Sequence, residues 1–221
     1  MASEINLDLQ RPVRIGMAEA VYCQHKSIDQ LGKVIEQIQA AKSAMLFTRL
    51  APDCFATLNQ RYPAALDYDV VSRTAFLFAD PAGPSALNRS EVAVVTGGSS
   101  DVPIAREAIR TLAFAGEGVI EINDVGVAGL WRLQQRLNEI KTKPVIICVA
   151  GMDAALPTVL AGLVSSVVIA VPSSVGYGVA QDGKTALNSL LCSCAPGLVV
   201  VNIDNGYGAA CAALRYLRQL P

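Results

Sequence analysis

The sequence of 221 residues predicts the α/β class, as a three-layer αβα sandwich around a parallel sheet, preceded by a small α/β unit. From residue 90 onward, short apolar runs alternate with helix-patterned segments of about ten to fifteen residues, which is typical of parallel sheets. The apolar runs are continuous, as expected for strands that are buried on both faces. Glycine and polar residues follow each run and separate it from the next helix.

The N-terminal part is predicted to be a small α/β unit covering residues 1–88. Its one clear helix begins after Ser27, a good N-cap, and places its isoleucines, leucine and valine on a single face. The predicted elements, in chain order, are an irregular stretch 1–26, a helix from Ser27 to about 42, a strand 44–47, a helix from Pro52 through 58, one or two edge strands within 67–78 and a turn-rich linker 80–85.

The C-terminal part, residues 89–221, is predicted to be an αβα domain. Its apolar runs are too short for helices and are read as strands. The predicted strands are 92–96, 118–122, 145–149, 167–171 and 198–202. The predicted helices are 102–115, 127–139, 154–164, 183–193 and 207–219.

The composition excludes several classes of protein. Hydrophobic residues make up 52% and charged residues 17%, with a net charge of −1. Such a chain is too apolar to be disordered and too neutral for a nucleic-acid-binding surface. Its most apolar region, 145–172, is interrupted by polar residues and proline before it reaches the roughly 20 residues of a membrane span. We expect neither a nucleic-acid nor a membrane partner, and the low charged fraction predicts a homo-oligomer.

Six cysteines are scattered without the spacing of a disulfide framework. Because we also expect no signal peptide, we predict reduced thiols and a cytoplasmic protein. A zinc site is not expected, since Cys192 and Cys194 form CxC rather than CxxC and the only histidine, His25, is remote in sequence.

Every polar or glycine-rich cluster in the C-terminal part follows a strand and precedes a helix. In a parallel sheet these loops meet at the carboxyl ends of the strands, where ligands bind. The first loop alone is a weak signal, because Asp101 can also be the N-cap of the following helix. The candidate binding residues are Gly97, Gly98, Ser99, Asp101, Asp124, Gly151, Met152, Asp153, Ser173, Ser174, Gly176, Tyr177, Gly178, Asp204, Asn205 and Gly206.

The chemistry of individual residues stays open at this level. Asp153 either caps the helix after it or acts as an acid, a base or a metal-holding carboxylate. Arg106 and Arg132 are available for a phosphate or a carboxylate. Cys194, between the fourth helix and the last strand, is either a small buried hydrophobe or a nucleophile. A helix C-terminus disfavours a thiolate, so a reactive Cys194 needs a positive charge from elsewhere.

Five segments of the C-terminal part resemble the LarB family, the pyridinium-3,5-biscarboxylic acid mononucleotide synthases of nickel-pincer cofactor biosynthesis. They read VAVVTGGSSDVPIAREA, NDVGVAGLWRL, VAGMDAALPTVLAGLV, VIAVPSSVGYG and LCSCAPGLVVVNIDNGYGAA. The segments RIGMAEAVYCQHKS and LFTRL also fit, so the resemblance covers nearly the whole chain. The C-terminal module is in turn similar to PurE, the aminoimidazole ribonucleotide (AIR) carboxylase, which implies a PurE-like, flavodoxin-like sandwich. Some relatives carry the name circadian phase modifier.

The resemblance implies that nicotinic acid adenine dinucleotide is carboxylated at its pyridinium ring and hydrolysed to release AMP. It also implies Mg²⁺, with CO₂ or bicarbonate as co-substrate, and an octamer. Cys194 is expected to be the nucleophile, and Asp153 aligns with the family's catalytic carboxylate. Ser99 and Asp101 match the first loop of the family, the 173–178 loop with Tyr177 is expected to surround the ring, and 204–206 to close the site.

Two departures from the family pattern matter. The family usually has Glu where this chain has Asp153, and the first loop is TGGSSD where TAGTSD is usual. A carboxylate one methylene shorter puts full activity in doubt. The histidine expected for plain PurE activity is missing, which argues against purine carboxylation. The alternative is a non-catalytic or regulatory protein that binds an adenine nucleotide or a protein partner.

Overall fold

Two hydrophobic cores divide the chain into two units, Met1–Ser85 and Ala86–Pro221. The structure is a computed structural model that describes residues 4–78 and 90–219. The predicted linker 80–85 and the predicted boundary between 88 and 89 lie outside the described residues. No helix in the described ranges is both long and apolar enough to cross a membrane.

The N-terminal unit is a four-stranded sheet with the order β1-β2-β4-β3, in which β1 and β2 are parallel and the other pairs antiparallel. The predicted helix after Ser27 is confirmed: Ser27 and Gln30 form a capping box, and the apolar face of the helix is buried against the sheet. The strands are β1 (Ala20–Tyr22), β2 (Met45–Thr48), β3 (Asp67–Asp69) and β4 (Thr74–Leu77), and the helices are α1 (Arg11–Ile15), α2 (Ile28–Ala40) and α3 (Pro52–Arg61).

Two expectations for this unit are wrong. Residues 1–26 are not irregular, because they contain α1 and β1. Strand β1 has three residues, too few for a periodic pattern, and its partner β2 is distant in sequence. Strand β4 is not at an edge, since it pairs with both β2 and β3 and all four of its residues are buried. Only β3 fits the prediction of an edge strand.

The C-terminal unit contains a parallel sheet of five strands with the order β6-β5-β7-β8-β9, which confirms the predicted sandwich. This order is the flavodoxin-like one. The strands are β5 (Val92–Thr96), β6 (Val119–Ile122), β7 (Val145–Ala150), β8 (Val167–Pro172) and β9 (Val199–Val200). The helices are α4 (Val102–Phe114), α5 (Leu130–Ile140), α6 (Ala155–Ala161), α7 (Lys184–Leu191) and α8 (Gly206–Leu217).

Helices cover both faces of this sheet, which explains why its strands are continuous apolar runs. Helices α4 and α8 pack together on one face, while apolar residues of α5, α6 and α7 join the core on the other. The chain reverses direction across the sheet between β5 and β7, so the loops after these two strands flank the topological switch point. Strand β9 is shorter than the predicted 198–202, because only Val199 and Val200 pair with β8 at this edge.

Candidate active site

The loops after the strands of the C-terminal unit are joined by backbone hydrogen bonds beyond the ends of the strands. The Ser173 N–H donates to Ala150 O over 2.9 Å, and the Met152 N–H donates to Val175 O over 2.8 Å. The Asp204 N–H donates to Pro172 O over 2.9 Å. The structure therefore brings the loops after β7, β8 and β9 together at one edge of the sheet.

Asp101 fastens the first loop to this group. Its Oδ2 accepts the Gly98 N–H at 2.8 Å, its Oδ1 accepts the Ser173 hydroxyl at 2.5 Å, and the Gly151 backbone also donates to the carboxylate. Asp101 is 3% exposed and Ser173 is fully buried. Asp101 is not the side-chain cap of α4, as one interpretation of the sequence held: it closes a 3-10 turn, and its carboxylate binds other loops.

Burial raises the pKa of the Asp101 carboxyl above its ordinary value. The hydrogen bonds from Ser173 and Gly98 oppose that rise, whereas the nearby Asp204 carboxylate adds to it. A buried carboxylate with its acceptors occupied by loop donors holds the site in shape. We therefore assign Asp101 and Ser173 to positioning of the loops, although both were predicted to contact the substrate.

Asp124 follows β6 and is hydrogen-bonded to the end of the neighbouring strand β5. Its N–H donates to Thr96 Oγ1 at 3.0 Å, and Thr96 Oγ1 in turn donates to the Asn123 side chain at 3.2 Å. The Asp124 carboxylate forms an ion pair with Arg132 on α5. Thr96 and Asn123 were missed from the sequence, although a threonine that ends an otherwise apolar strand was a usable signal.

The other predicted residues differ in exposure. The side chain of Asp204 accepts the Ser174 N–H at 2.7 Å, and Asn205 caps α8 by accepting the Gly208 N–H at 2.8 Å. Gly206 is buried, with α4 so close that a Cβ would lie 2.3 Å from Ile104 O. The partly buried residues are Gly97, Gly98, Gly151, Gly176, Asp204 and Asn205, and the exposed residues are Ser99, Asp124, Met152, Asp153, Ser174, Tyr177 and Gly178.

Asp153 lies in an exposed turn between β7 and α6. It is not the N-cap of α6, a position held by Ala154, and its Oδ1 accepts the Ala155 N–H over a long 3.4 Å. The carboxylate is therefore exposed, with one weak contact among the described residues. Tyr177 lies in the loop after β8 and is 78% exposed, so its ring is accessible to a ligand.

Backbone strain is concentrated in these loops. In the described part of the C-terminal unit, the residues other than glycine with positive φ are Asp124, Met152, Ala154, Asp182 and Asp204. Each lies between the end of a strand and the start of the next helix. Such conformations cost about 1–3 kcal/mol each and persist where the surrounding structure fixes them, often at functional sites.

Cys194 is exposed in the loop between α7 and β9. Because β9 is parallel to β8, this loop enters the sheet at its amino-terminal edge, opposite the loops described above. The neighbouring Ser193 hydroxyl lies 2.8 Å from Thr158 Oγ1 of α6. The fold thus places Cys194 before β9 and Asp153 after β7, while Ser193, next to Cys194, contacts the helix that follows Asp153.

The carboxylates of the site do not form a cage for the Mg²⁺ that the resemblance implies. Among the described residues, no group of three or more histidine, cysteine, aspartate or glutamate side chains is arranged to hold a metal ion. Asp101 is occupied by loop donors and Asp124 by Arg132. The described residues therefore do not fit a Mg²⁺ ion held by the protein alone.

Comparisons with known proteins match both units. A family model for AIR carboxylase matches residues 91–219, and one for a LarB/PurE-like N-terminal domain matches residues 2–79. The chain is 36% identical over 209 residues to an uncharacterized protein of Methanocaldococcus jannaschii, covering 93% of this chain and 80% of the relative. It is 36% identical over 131 residues to the N5-carboxyaminoimidazole ribonucleotide mutase of the same organism, covering 57% and 78%. A Treponema denticola PurE2 structure has a TM-score of 0.46 and 22% identity, covering 60% of this chain and 82% of that one.

Gly151→Ala is expected to separate two loops of the site. A Cβ at this position would lie 2.2 Å from Val175 O and 2.6 Å from Ser173 Oγ, so the backbone must shift. We expect the free energy of unfolding to fall by about 1–3 kcal/mol. The measurement is urea unfolding followed by the fluorescence of the one tryptophan, Trp131. Gly98→Ala is the matched control, because its Cβ would lie 3.7 Å from the nearest atom; equal losses in both variants would contradict the prediction.

Asp101→Asn tests the raised pKa of the buried carboxyl. A raised folded-state pKa contributes stability that is present below the unfolded-state pKa and is lost as the pH rises through the folded-state pKa. We therefore expect the free energy of unfolding of the wild type, relative to the variant, to fall as the pH rises from about 4 toward neutrality. Urea titrations at several pH values measure this difference, and a difference that rose with pH would refute the assignment.

Proposed function

The chain belongs to the AIR carboxylase (PurE-like) family with a LarB/PurE-like N-terminal domain, and from that membership we propose a LarB-type reaction. In this proposal the protein carboxylates the pyridinium ring of nicotinic acid adenine dinucleotide with CO₂ or bicarbonate. It also hydrolyses the phosphoanhydride and releases AMP. The observation that carries the choice is a PurE-like unit without a histidine but with an exposed thiol, Cys194.

Addition of a thiol would make the electrophilic ring of this substrate nucleophilic. A pyridinium ring is cationic and electrophilic, so its carbon does not attack CO₂. Addition of the Cys194 thiolate forms a C–S bond and neutralises the ring to a dihydropyridine, whose enamine carbon then forms the C–C bond to CO₂. Loss of the proton from that carbon and expulsion of the thiolate restore the aromatic ring. One covalent adduct thus divides a difficult step into easier ones.

Asp153 is the carboxylate that we assign to the proton transfer. It follows Gly151 and Met152 in the loop after β7, at the position of the family's carboxylate, and it is exposed to an incoming ligand. Its one internal hydrogen bond, from the Ala155 N–H at 3.4 Å, leaves acceptor capacity for the ring proton. A candidate base must reach its proton, and an exposed turn permits that approach.

We propose that the reaction takes place in a homo-oligomer, because Cys194 precedes β9 whereas Asp153 follows β7. We propose that a second copy supplies Cys194 to the loops of the first, in the octamer that the family resemblance suggests. Apolar side chains near Cys194 support such a contact: Leu191 is 66% exposed and Val199 is 42% exposed. Burial of these side chains between copies would stabilise the assembly and exclude water from the thiol.

A second candidate function is nucleotide binding without turnover. Asp153 favours it, since the family usually has the longer glutamate at this position. In that case the loops and the oligomer would be kept, and the protein would bind an adenine nucleotide or a protein partner. The assays below separate the two functions, because only the enzyme changes the ligand covalently.

Cys194→Ala is expected to abolish carboxylation. The purified protein would be incubated with nicotinic acid adenine dinucleotide, Mg²⁺ and bicarbonate, and AMP and the doubly carboxylated mononucleotide would be followed by mass spectrometry. Intact-protein mass spectrometry would detect the adduct on Cys194. Cys192→Ala is the matched control, because it removes an equally exposed thiol two positions away. Carboxylation by Cys194→Ala, or a wild type that binds the dinucleotide and leaves it unchanged, would refute the proposed reaction.

Asp153→Glu is expected to raise kcat for carboxylation. The added methylene extends the carboxylate toward the family's usual position, and a placement error near 1 Å costs about a hundredfold in rate. Asp153→Asn is expected to lower the same rate, because an amide does not take up the proton. Initial rates at saturating dinucleotide measure both variants, and a rate for Asp153→Glu at or below that of the wild type would show that aspartate is adequate at this position.

A further inference from the structure

The guanidinium of Arg132 packs against the backbone of Gly129, a position that we call its seat. Arg132 is in the first turn of α5, and its side chain folds back onto Gly129, the residue before the helix. A Cβ at position 129 would lie 2.7 Å from Nε, 3.1 Å from Nη2 and 3.2 Å from Cζ of Arg132. The guanidinium therefore lies where a side chain at position 129 would displace it.

A chain of hydrogen bonds connects this guanidinium to strand β5. Arg132 Nη1 pairs with the Asp124 carboxylate, and the Asp124 N–H donates to Thr96 Oγ1 at the end of β5. The loops after β5 and β6 are also in contact, since a Cβ at Gly126 would lie 2.6 Å from Gly97 O. Arg132 is thus attached, through Asp124, to a loop that contacts the first glycine-rich loop.

The position of Arg132 is suited to binding rather than to stability. Its side chain is 30% exposed, and among the described residues Asp124 is its one hydrogen-bond partner. A guanidinium has five N–H donors in a planar fork that matches phosphate and carboxylate oxygens. An ion pair this exposed contributes about 0–1 kcal/mol to folding, so stability alone does not account for the seat.

The loops around Arg132 are acidic, so its positive charge matters for binding an anionic ligand. The loops after the strands present the carboxylates of Asp124, Asp153 and Asp204, and Asp101 lies beneath them. A nucleotide carries negative phosphate groups that these carboxylates repel. Arg132 places a positive charge at this edge, next to the backbone of the first loop.

We propose that Arg132 binds a phosphate group of the nucleotide ligand, with Gly129 providing its seat and Asp124 its orientation. This inference deepens the proposed function, because it assigns the phosphate-binding residue of the same site. The shared chemistry is a phosphate monoester or diester on adenosine. The ring carboxylate of nicotinic acid is the competing oxyanion, and the experiment distinguishes it.

The experiment is equilibrium binding of AMP, adenosine and nicotinic acid to the full chain by isothermal titration calorimetry. Arg132→Gln is expected to weaken AMP binding by about 10- to 100-fold, the range of a charge-assisted hydrogen bond, and to leave adenosine unchanged. The AMP affinity of Arg132→Lys is expected to lie between those of the wild type and Arg132→Gln, since lysine keeps the charge but lacks the planar set of N–H donors. Arg136→Gln is the matched control, because Arg136 lies one turn later on α5 and pairs with Glu139.

Gly129→Ala tests the seat without removing the arginine. The added Cβ displaces the end of a flexible side chain, so the thermal unfolding midpoint is expected to stay near that of the wild type while AMP binds several-fold more weakly. Equal AMP affinity in the wild type and Arg132→Gln, equal losses for AMP and adenosine, or a loss confined to nicotinic acid would each overturn the inference. So would a wild type that does not bind AMP.

Binding requires no turnover, so this result is independent of the carboxylation assay. A protein that binds AMP through Arg132 and does not carboxylate the dinucleotide would refute the proposed reaction and uphold this inference. A protein that carboxylates the dinucleotide and binds AMP equally with or without Arg132 would uphold the proposed reaction and refute this inference.

Discussion

The candidate site depends on one buried carboxylate, that of Asp101. The carboxyl ends of β5, β7 and β8 leave loop N–H and hydroxyl groups without partners inside the sheet. Asp101 accepts hydrogen bonds from Gly98, Gly151 and Ser173, which belong to three different loops. A carboxylate that is 3% exposed has a raised pKa because of burial, and these donors offset part of that cost. The loops are therefore fixed relative to one another before any ligand arrives.

The glycines and the strained residues follow from that constraint. Where Asp101 draws the loops after β7 and β8 together, Gly151 meets Val175 O at a distance that excludes a Cβ. Gly126 likewise meets Gly97 O between the loops after β6 and β5. The chain must then turn sharply between strand and helix, and Met152 and Asp204 adopt positive φ to do so. Backbone strain lowers the stability of the fold. It is therefore retained mainly where it orients side chains of a functional site. The exposed carboxylate of Asp153 is presented on the same strained turn.

The sequence predicted most of the elements but fewer of the contacts. Strands β5, β7 and β8 were predicted because their apolar runs are typical of strands buried on both faces of a sheet. Strand β1 was missed because three residues carry no period, and β4 was misplaced because pairing across a sheet is not visible locally. The role of Asp101 was not predictable, since the same residue type at the same position also caps helices. The location of Cys194 was predictable: a residue that precedes a parallel strand lies at the opposite edge from residues that follow one.

The two edges of the sheet therefore divide the chemistry. The carboxyl edge carries the loops that are suited to a nucleotide, with the Arg132 guanidinium near β6 and the Asp153 carboxylate after β7. The amino edge carries the exposed thiol of Cys194 among apolar side chains. In the proposed reaction, a cationic pyridinium ring held at the carboxyl edge of another copy would place a positive charge beside this thiol. The thiol would then be activated only when the substrate and the second copy are both in place, so the same assembly that completes the site would also protect the nucleophile between turnovers.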